Sequence, residues 1–412
     1  MTIAALEELT FGLGRLVEAA GRAGHRLCLL TGNRDVYRHE LARLAPDALD
    51  TVDVDTRDEA ATAAALAELP DLCGLVNSTD TWSVPGADLA AEFGLPGPDP
   101  AAVRLLRDKH RVRNLLHERG LSRGRALAVR PGPSAAAEVL AEVGLPAVLK
   151  DSAGTSSRNV WVVRDERRLR EALAEAAQRS FAGKLFAEPF FAGPVYSAET
   201  LSWKGETRLL GVLSRQMSRE PSVREEAAAF PVALPGAQST ALETWVGRVL
   251  EAAGHDRGFA HVEFVLTAQG PELVEINRRI GGALVGEALC RALGTNVYDA
   301  VVDTALGRRP ALLDAPAPSG PATAFVLLYP DRPGTLTGWS GLEHLPDFPG
   351  SPRWYPTAAP GDRVEHLGDQ RGCTGIVLAE GATSELALHR ALSAAGSVRP
   401  LVAPGRTAEH RE

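Results

Sequence analysis

One segment, GFAHVEFVLTAQGPELVEINRRIGG, running from Gly258 to Gly282, constrains the fold more than any other. Two runs in it, His261–Thr267 and Glu272–Arg278, are apolar at every second position, the period of a half-buried strand. A turn ending in glycine separates them. With Ala268, Gln269 and Gly270 as a three-residue loop and the glycine in the left-handed position, Thr267 faces Pro271 and Val265 faces Leu273. The same register sets Glu263 opposite Glu275 and His261 opposite Asn277, all on one face, because strand side chains alternate. Val262, Phe264, Leu266, Val274 and Ile276 take the other face. Directly opposed side chains lie roughly 4.5–5.5 Å apart at Cβ, where two carboxylates repel unless a cation lies between them. A hard divalent ion meets that need.

The chain has 412 residues and is 45% hydrophobic, enough for two or three packed units. No segment has the apolar run of a membrane span, and the N-terminus, with Glu7 and Glu8, has neither the basic start nor the apolar core of a signal peptide. A cytoplasmic protein is expected. The net charge of -8 argues against nucleic acid as the main partner and leaves room for a local basic pocket holding a small phosphorylated ligand. Cys28, Cys73, Cys290 and Cys373 are far apart and form no CxxC pair, so they read as small core residues rather than a zinc site or a disulfide framework. Of 44 basic residues only Lys109, Lys150, Lys184 and Lys204 are lysine. In an arginine-rich chain a retained lysine marks a place where a compact ammonium is wanted and a planar fork would not serve.

The first hundred residues alternate strands (Thr2–Leu6, Arg26–Leu30, Thr51–Val54, Leu72–Val76) with helical stretches (Phe11–Ala23, Tyr37–Leu44, Arg57–Leu69), which predicts a parallel α/β unit. Gly12 and Gly14 follow the first strand without the third glycine of a dinucleotide fingerprint. Gly94–Pro100 breaks the pattern, and Ala101–Arg119 reads as one helix containing Lys109. A strand, Ala147–Lys150, then runs into the small polar loop DSAGTSSRN and a second strand, Val160–Val163. Such a loop turns backbone N–H groups and hydroxyls toward an anion, and Lys150 at its mouth adds a point charge. No GxxxxGK[ST] is present, which excludes a Walker-type loop.

Taken in succession, RDKHRVRNLL, GLPAVLKDSAGTSSRNV, AEPFFAGPVYSAET, HVEFVLTAQGPELVEINRRIGG and PGTLTGWSGLEHLP resemble the ATP-grasp ligases, in the branch of the L-amino acid ligases and carnosine-synthase-like enzymes. The resemblance implies an α/β and α+β multidomain chain: a pre-ATP-grasp domain over residues 1–98, a small subdomain with the phosphate loop over 99–184, a nucleotide- and metal-binding subdomain over 185–310, an α+β unit over 311–402 and a tail over 403–412. It implies ATP and Mg2+, with Mn2+ as the alternative ion, and small carboxylate and amine substrates, with no nucleic acid, no membrane and assembly as a homodimer. Residue by residue, it assigns Lys109, Lys150 and Ser156 to the ATP phosphates, Glu188 and Phe191 to the adenine segment, and Glu263, Glu275 and Asn277 to the metal. Arg279 becomes the group that steadies phosphate and oxyanion, and Arg215, Gly281 and Gly282 become substrate contacts. His261 stands behind the metal face as a supporting or a structural group, and either the Lys150 loop or Ser214–Glu226 is the candidate lid. Two departures stand out. Val195 occupies the position of a ribose-binding glutamate, leaving Glu199 as the alternative, and Arg158-Asn159 replaces a small residue and a glycine in the phosphate loop. The implied reaction is ADP-forming amide synthesis through an acyl phosphate; a carboxylase or kinase with the same grip, and a silent nucleotide-binding module, are the alternatives.

Overall fold

The computed structural model describes residues 1–404. The N-terminal unit is a parallel sheet in the order Asp50–Asp53, Arg26–Thr31, Thr2–Leu6, Leu72–Val76. Its central strand is buried throughout, as expected of a sheet covered on both faces. Gly12 lies just beyond that strand with a φ of 102°, and a Cβ there would fall 1.8 Å from the Tyr298 hydroxyl, so this glycine serves close packing.

A second, antiparallel sheet, Leu127–Ala128, Leu185–Pro189, Ala147–Asp151, Val160–Val163, carries helices Ala135–Glu142 and Glu166–Ala176 on one face. The strand Leu185–Pro189 thus belongs to the small unit, past the expected boundary at residue 184. Helix Glu166–Ala176 is absent from the sequence reading.

The largest sheet has eight strands in the order Gly270–Asn277, Arg257–Thr267, Val195–Trp203, Glu206–Met217, Glu225–Phe230, Ala322–Leu328, Gly375–Gly381, Arg353–Pro356. It crosses the expected boundary near residue 310 without a break, since Ala228 pairs with Phe325. One face buries Val262, Phe264 and Ile276 under helices Lys109–Glu118 and Gly236–Ala252. The other packs Leu201 and Phe259 against helices Val285–Leu293 and Tyr298–Ala305, which join it to the N-terminal unit in one core. A small sheet, Arg363–Val364, Gly334–Ser340, Arg399–Ala403, closes the described chain. The sequence reading lacks the strands at Gly334, Arg353 and Arg399. The expected tail lies, apart from Ala403 and Pro404, outside the described residues.

The acidic ribbon Arg257–Asn277 keeps its expected pairs by a different route. Thr267 pairs with Gly270, so only Ala268 and Gln269 form the turn, and Val265 meets Glu272 rather than Leu273. A bulge between Glu263 and Phe264 absorbs the extra residue, after which Glu263 faces Glu275 and His261 faces Asn277. The bulge also changes two side chains: Leu273 enters the core beside Phe264, and Val274, expected on the core face, lines the cavity.

Candidate active site

A cavity of about 680 Å3 lies between the small sheet, the large sheet and the N-terminal unit. Lys109 reaches it because the expected long helix is two helices. Pro100–Leu106 stops, the Asp108 side chain caps the next by accepting from Arg111 N at 3.1 Å, and Lys109 occupies the first turn. Its ammonium donates to Gly154 O at 2.6 Å and meets Glu275 at 2.9 Å. Lys150, at the end of its strand, meets Glu188 at 2.6 Å and donates to the carbonyl of Val274 at 3.1 Å, within the bulge. Arg113 donates to the other oxygen of Glu188 at 2.8 Å and lies 3.5 Å from Glu272.

These are buried charges: Arg113, Lys150 and Glu188 are at most 6% exposed. Burial favours the neutral form of Glu188, but Arg113 and Lys150 overcome it and hold the carboxyl below its usual range. Burial pulls the pKa of Lys150 down against the pull of Glu188. On the ribbon, Asn277 donates to Glu275 at 2.9 Å, and Glu263 is paired with Arg215 and accepts from His261 Nε2 at 3.2 Å. Glu263 would be raised by burial, yet Arg215 and His261 keep it far below the ordinary carboxylate range. Arg279 is tied to Asp80, with Nε donating at 3.1 Å.

Two family models match this arrangement: an ATP-grasp domain over residues 143–287 and an L-amino acid ligase C-terminal domain 2 over residues 326–403. The chain belongs to the ATP-grasp superfamily, in the branch of the L-amino acid ligases and carnosine synthases. It is 27% identical over 376 residues to the uncharacterized protein y4rH of Sinorhizobium fredii, covering 88% of this chain and 75% of that protein. It is 27% identical over 300 residues to carnosine synthase 1 of Homo sapiens, covering 66% of this chain and 35% of the other, so it spans about a third of that relative's length. The crystal structure of L-amino acid ligase from Bacillus licheniformis has the same fold, with a TM-score of 0.80, 21% identity and 98% of each chain covered.

In this ATP-grasp chain the loop after Lys150, which has Gly154 as its one glycine, carries strained backbone. Ser156, Ser157 and Asn159 all adopt left-handed backbone, with φ of 57°, 59° and 55°. Ser156 and Arg158 line the cavity mouth. Phe191 lines it too, half-buried, with the guanidinium of Arg113 5.3 Å from its ring centroid. Val195 is at the wall, but Glu199, the alternative ribose partner, is buried under His261, bonded to its Nδ1 at 2.6 Å and to Ser197 Oγ at 2.8 Å. Glu199 is therefore a support for His261 rather than a ribose contact. Gly282 lines the cavity, whereas Gly281 does not; a Cβ on Gly281 would fall 2.7 Å from His261 Nδ1, so it lets the ring sit. Arg215 is held at 7% exposure between Glu225 and Glu263. The expected lid shortens to Ser218–Arg224, since the flanking strands extend to Met217 and resume at Glu225.

Among the described residues no three His, Cys, Asp or Glu side chains are grouped for a metal. Glu263, Glu275 and Asn277 offer two carboxylates and one amide oxygen, a set that fits Mg2+, which keeps water and phosphate in its remaining positions. Sequence reasoning missed Arg113, Asp80 and Arg371, which also line the cavity. Arg113 carried a signal: it stands four residues after Lys109, on the same helix face. Asp80 and Arg371 lie outside the motifs and carried none.

Proposed function

We propose that the protein is an ATP-dependent, ADP-forming ligase that joins the carboxyl group of an amino acid or a similar small acid to an amine through an acyl phosphate. The observation that carries this reading is the meeting, in one cavity, of Lys109 and Lys150 with Glu263, Glu275, Asn277 and Arg279. Each of those carboxylates rests against a cation of the protein, Lys109 on Glu275 and Arg215 on Glu263. A triphosphate entering the cavity exchanges these contacts: Lys109 turns to a phosphate oxygen and frees Glu275, and Lys150 turns from Glu188. Mg2+ held by Glu263, Glu275 and Asn277 would supply charge neutralisation at the phosphates.

The substrate carboxylate oxygen then attacks the terminal phosphorus and ADP leaves. The amine nitrogen attacks the carbonyl carbon of the acyl phosphate, loses a proton, and inorganic phosphate departs. Arg279, oriented by Asp80, faces the developing oxyanion, and the N–H of Gly282 lies at the same wall. Leu327, Val285 and Ile376 make the far end of the cavity apolar and receive the acid's side chain. Segment Ser218–Arg224 excludes water from the activated acid; its Ser218, Glu220, Ser222 and Val223 already line the mouth. A matrix of amino acids against amines, scored by ADP release, tests this. Addition of hydroxylamine separates ligation from kinase action, because only an acyl phosphate gives a hydroxamate. A matrix with no acid-dependent ADP, or ADP without hydroxamate, sinks the proposal.

A further inference from the structure

Behind Arg279 lies a separate chamber of about 20 Å3, and Asp80 and Arg279 are the two residues that line both it and the large cavity. It forms where the N-terminal unit, helix Pro100–Leu106 and the end of strand Gly270–Asn277 meet. About 10–15 Å3 suffices for a water, so the chamber takes one guest of roughly that size and not a sulfate or a carboxylate.

The charges around it do not balance. Three guanidiniums, Arg107, Arg278 and Arg279, and one carboxylate, Asp80, line it. Asp80 is committed to Arg279, whose Nε and Nη2 donate to its Oδ2 at 3.1 and 2.5 Å. Arg107 donates to Ala153 O at 2.9 Å and Arg278 to Arg257 O at 3.4 Å, and neither has a carboxylate within 4.0 Å among the described residues. The neutral polar groups of the wall bring no negative charge, and their donors are engaged elsewhere: Asn77 Nδ2 on Leu6 O at 2.8 Å, Thr79 Oγ1 on Glu7 O at 2.9 Å, Ser83 Oγ on Asp80 O at 2.8 Å. Val103, Leu106 and Ile276 make the rest of the wall apolar. In such surroundings like charges repel far more than in water, and an anion between them is favoured.

We propose that this chamber is a site for a monatomic anion, chloride above all, held by the guanidiniums of Arg107 and Arg278. The volume sets the size of the guest, and the two guanidiniums without an acid set its sign. One negative charge there relieves both at once. It also acts on the large cavity indirectly: with Arg107 and Arg278 satisfied by the ion, neither competes with Arg279 for Asp80.

Two measurements on the full chain without nucleotide test it. Crystals soaked in sodium bromide should show an anomalous peak in the chamber, in contact with Arg107 and Arg278. In solution, exchanging potassium gluconate for potassium chloride at constant ionic strength should raise the melting temperature by about 2 °C once chloride is roughly tenfold above its dissociation constant. Arg278→Gln should lose that shift, and comparison with the variant removes the general effect of the salt. Arg107→Gln is the second variant, and either one that folds is sufficient. A water in the chamber with no bromide peak overturns the proposal. So does an equal response to chloride in parent and variant, including none in either, since a peak would then mean binding at crystal concentration only. No substrate enters these measurements, so their failure leaves the ligase reading standing, and a failed ADP assay leaves the anion site standing.

Discussion

In the large cavity three carboxylates face cations: Glu188 meets Lys150 and Arg113, Glu275 meets Lys109, Glu263 meets Arg215. Glu8, buried beside the N-terminal sheet, faces no cation among the described residues, and its Oε1 has no hydrogen-bond partner there. The pairing has opposite effects on titration. Glu188 and Glu263 are held below the usual range and stay ionised, whereas Glu8 is raised to about 7 and is half protonated at neutral pH. Buried charge is tolerated when geometry and partners compensate it, and otherwise neutralises itself. The large cavity keeps its charges by pairing them, whereas Glu8 is partly neutralised by a proton.

The largest effect is expected where the pairing serves chemistry. Glu275→Gln keeps the shape and the bond from Asn277 but removes the charge, and ADP formation should fall about a thousandfold, an effect of roughly 4 kcal/mol on the barrier. An unchanged rate would remove the ribbon from the site. Next comes the network itself. Arg113→Met leaves Glu188 and Glu272 each short of a buried partner, and urea denaturation should show a loss of roughly 3 kcal/mol. A neutral result would mean that Lys150 on Glu188, and Arg123, which meets Glu272 at 2.7 Å, suffice.

The unpaired acid is smaller and opposite in sign. Glu8 titrates from an ordinary 4.5 to about 7 in the folded protein. Between those values the folded state holds a proton that the unfolded state has lost, so stability is highest below the lower value and falls as pH rises through the window. The parent should lose up to roughly 3 kcal/mol from this group between pH 4.5 and 7, and Glu8→Gln should flatten that slope. Equal slopes in parent and variant would show that Glu8 is paired after all. Smallest is the exposed bridge from the small sheet to the lid segment, Arg164 to Glu220 at 2.6 Å, with the two side chains 51% and 42% exposed. Arg164→Ala should change stability by under about 1 kcal/mol, and less in high salt. A change above that, persisting in salt, would make the bridge a structural clamp rather than a surface pair.

Much of the site was legible because it is written in short-range patterns. Alternation by two placed His261, Glu263, Glu275 and Asn277 on one face, and the strand–loop–strand around Lys150 was local as well. Lys109 was legible as a residue but not as a geometry, since the helix break at Arg107-Asp108 shows in the chain only as an aspartate with capping chemistry. Glu199 was misread for the opposite reason: nothing local distinguishes a buried partner of His261 from a residue at the cavity wall. Arg113, Asp80 and Glu8 depend on which distant side chains come to rest against them.

The amino-acid sequence by itself determined the parallel N-terminal unit, the acidic ribbon with its facing carboxylates and the polar loop after Lys150, because period, turn chemistry and residue type act within a few residues of one another. Only the tertiary structure decided that one sheet runs through from the ribbon to Arg353–Pro356, that Leu273 enters the core while Val274 lines the cavity, and which buried charges have partners. Strand order and ion pairing depend on contacts between segments tens of residues or more apart, such as Ala228 with Phe325 and Lys150 with Glu188, and the free energy of those contacts is set by burial that no local pattern records.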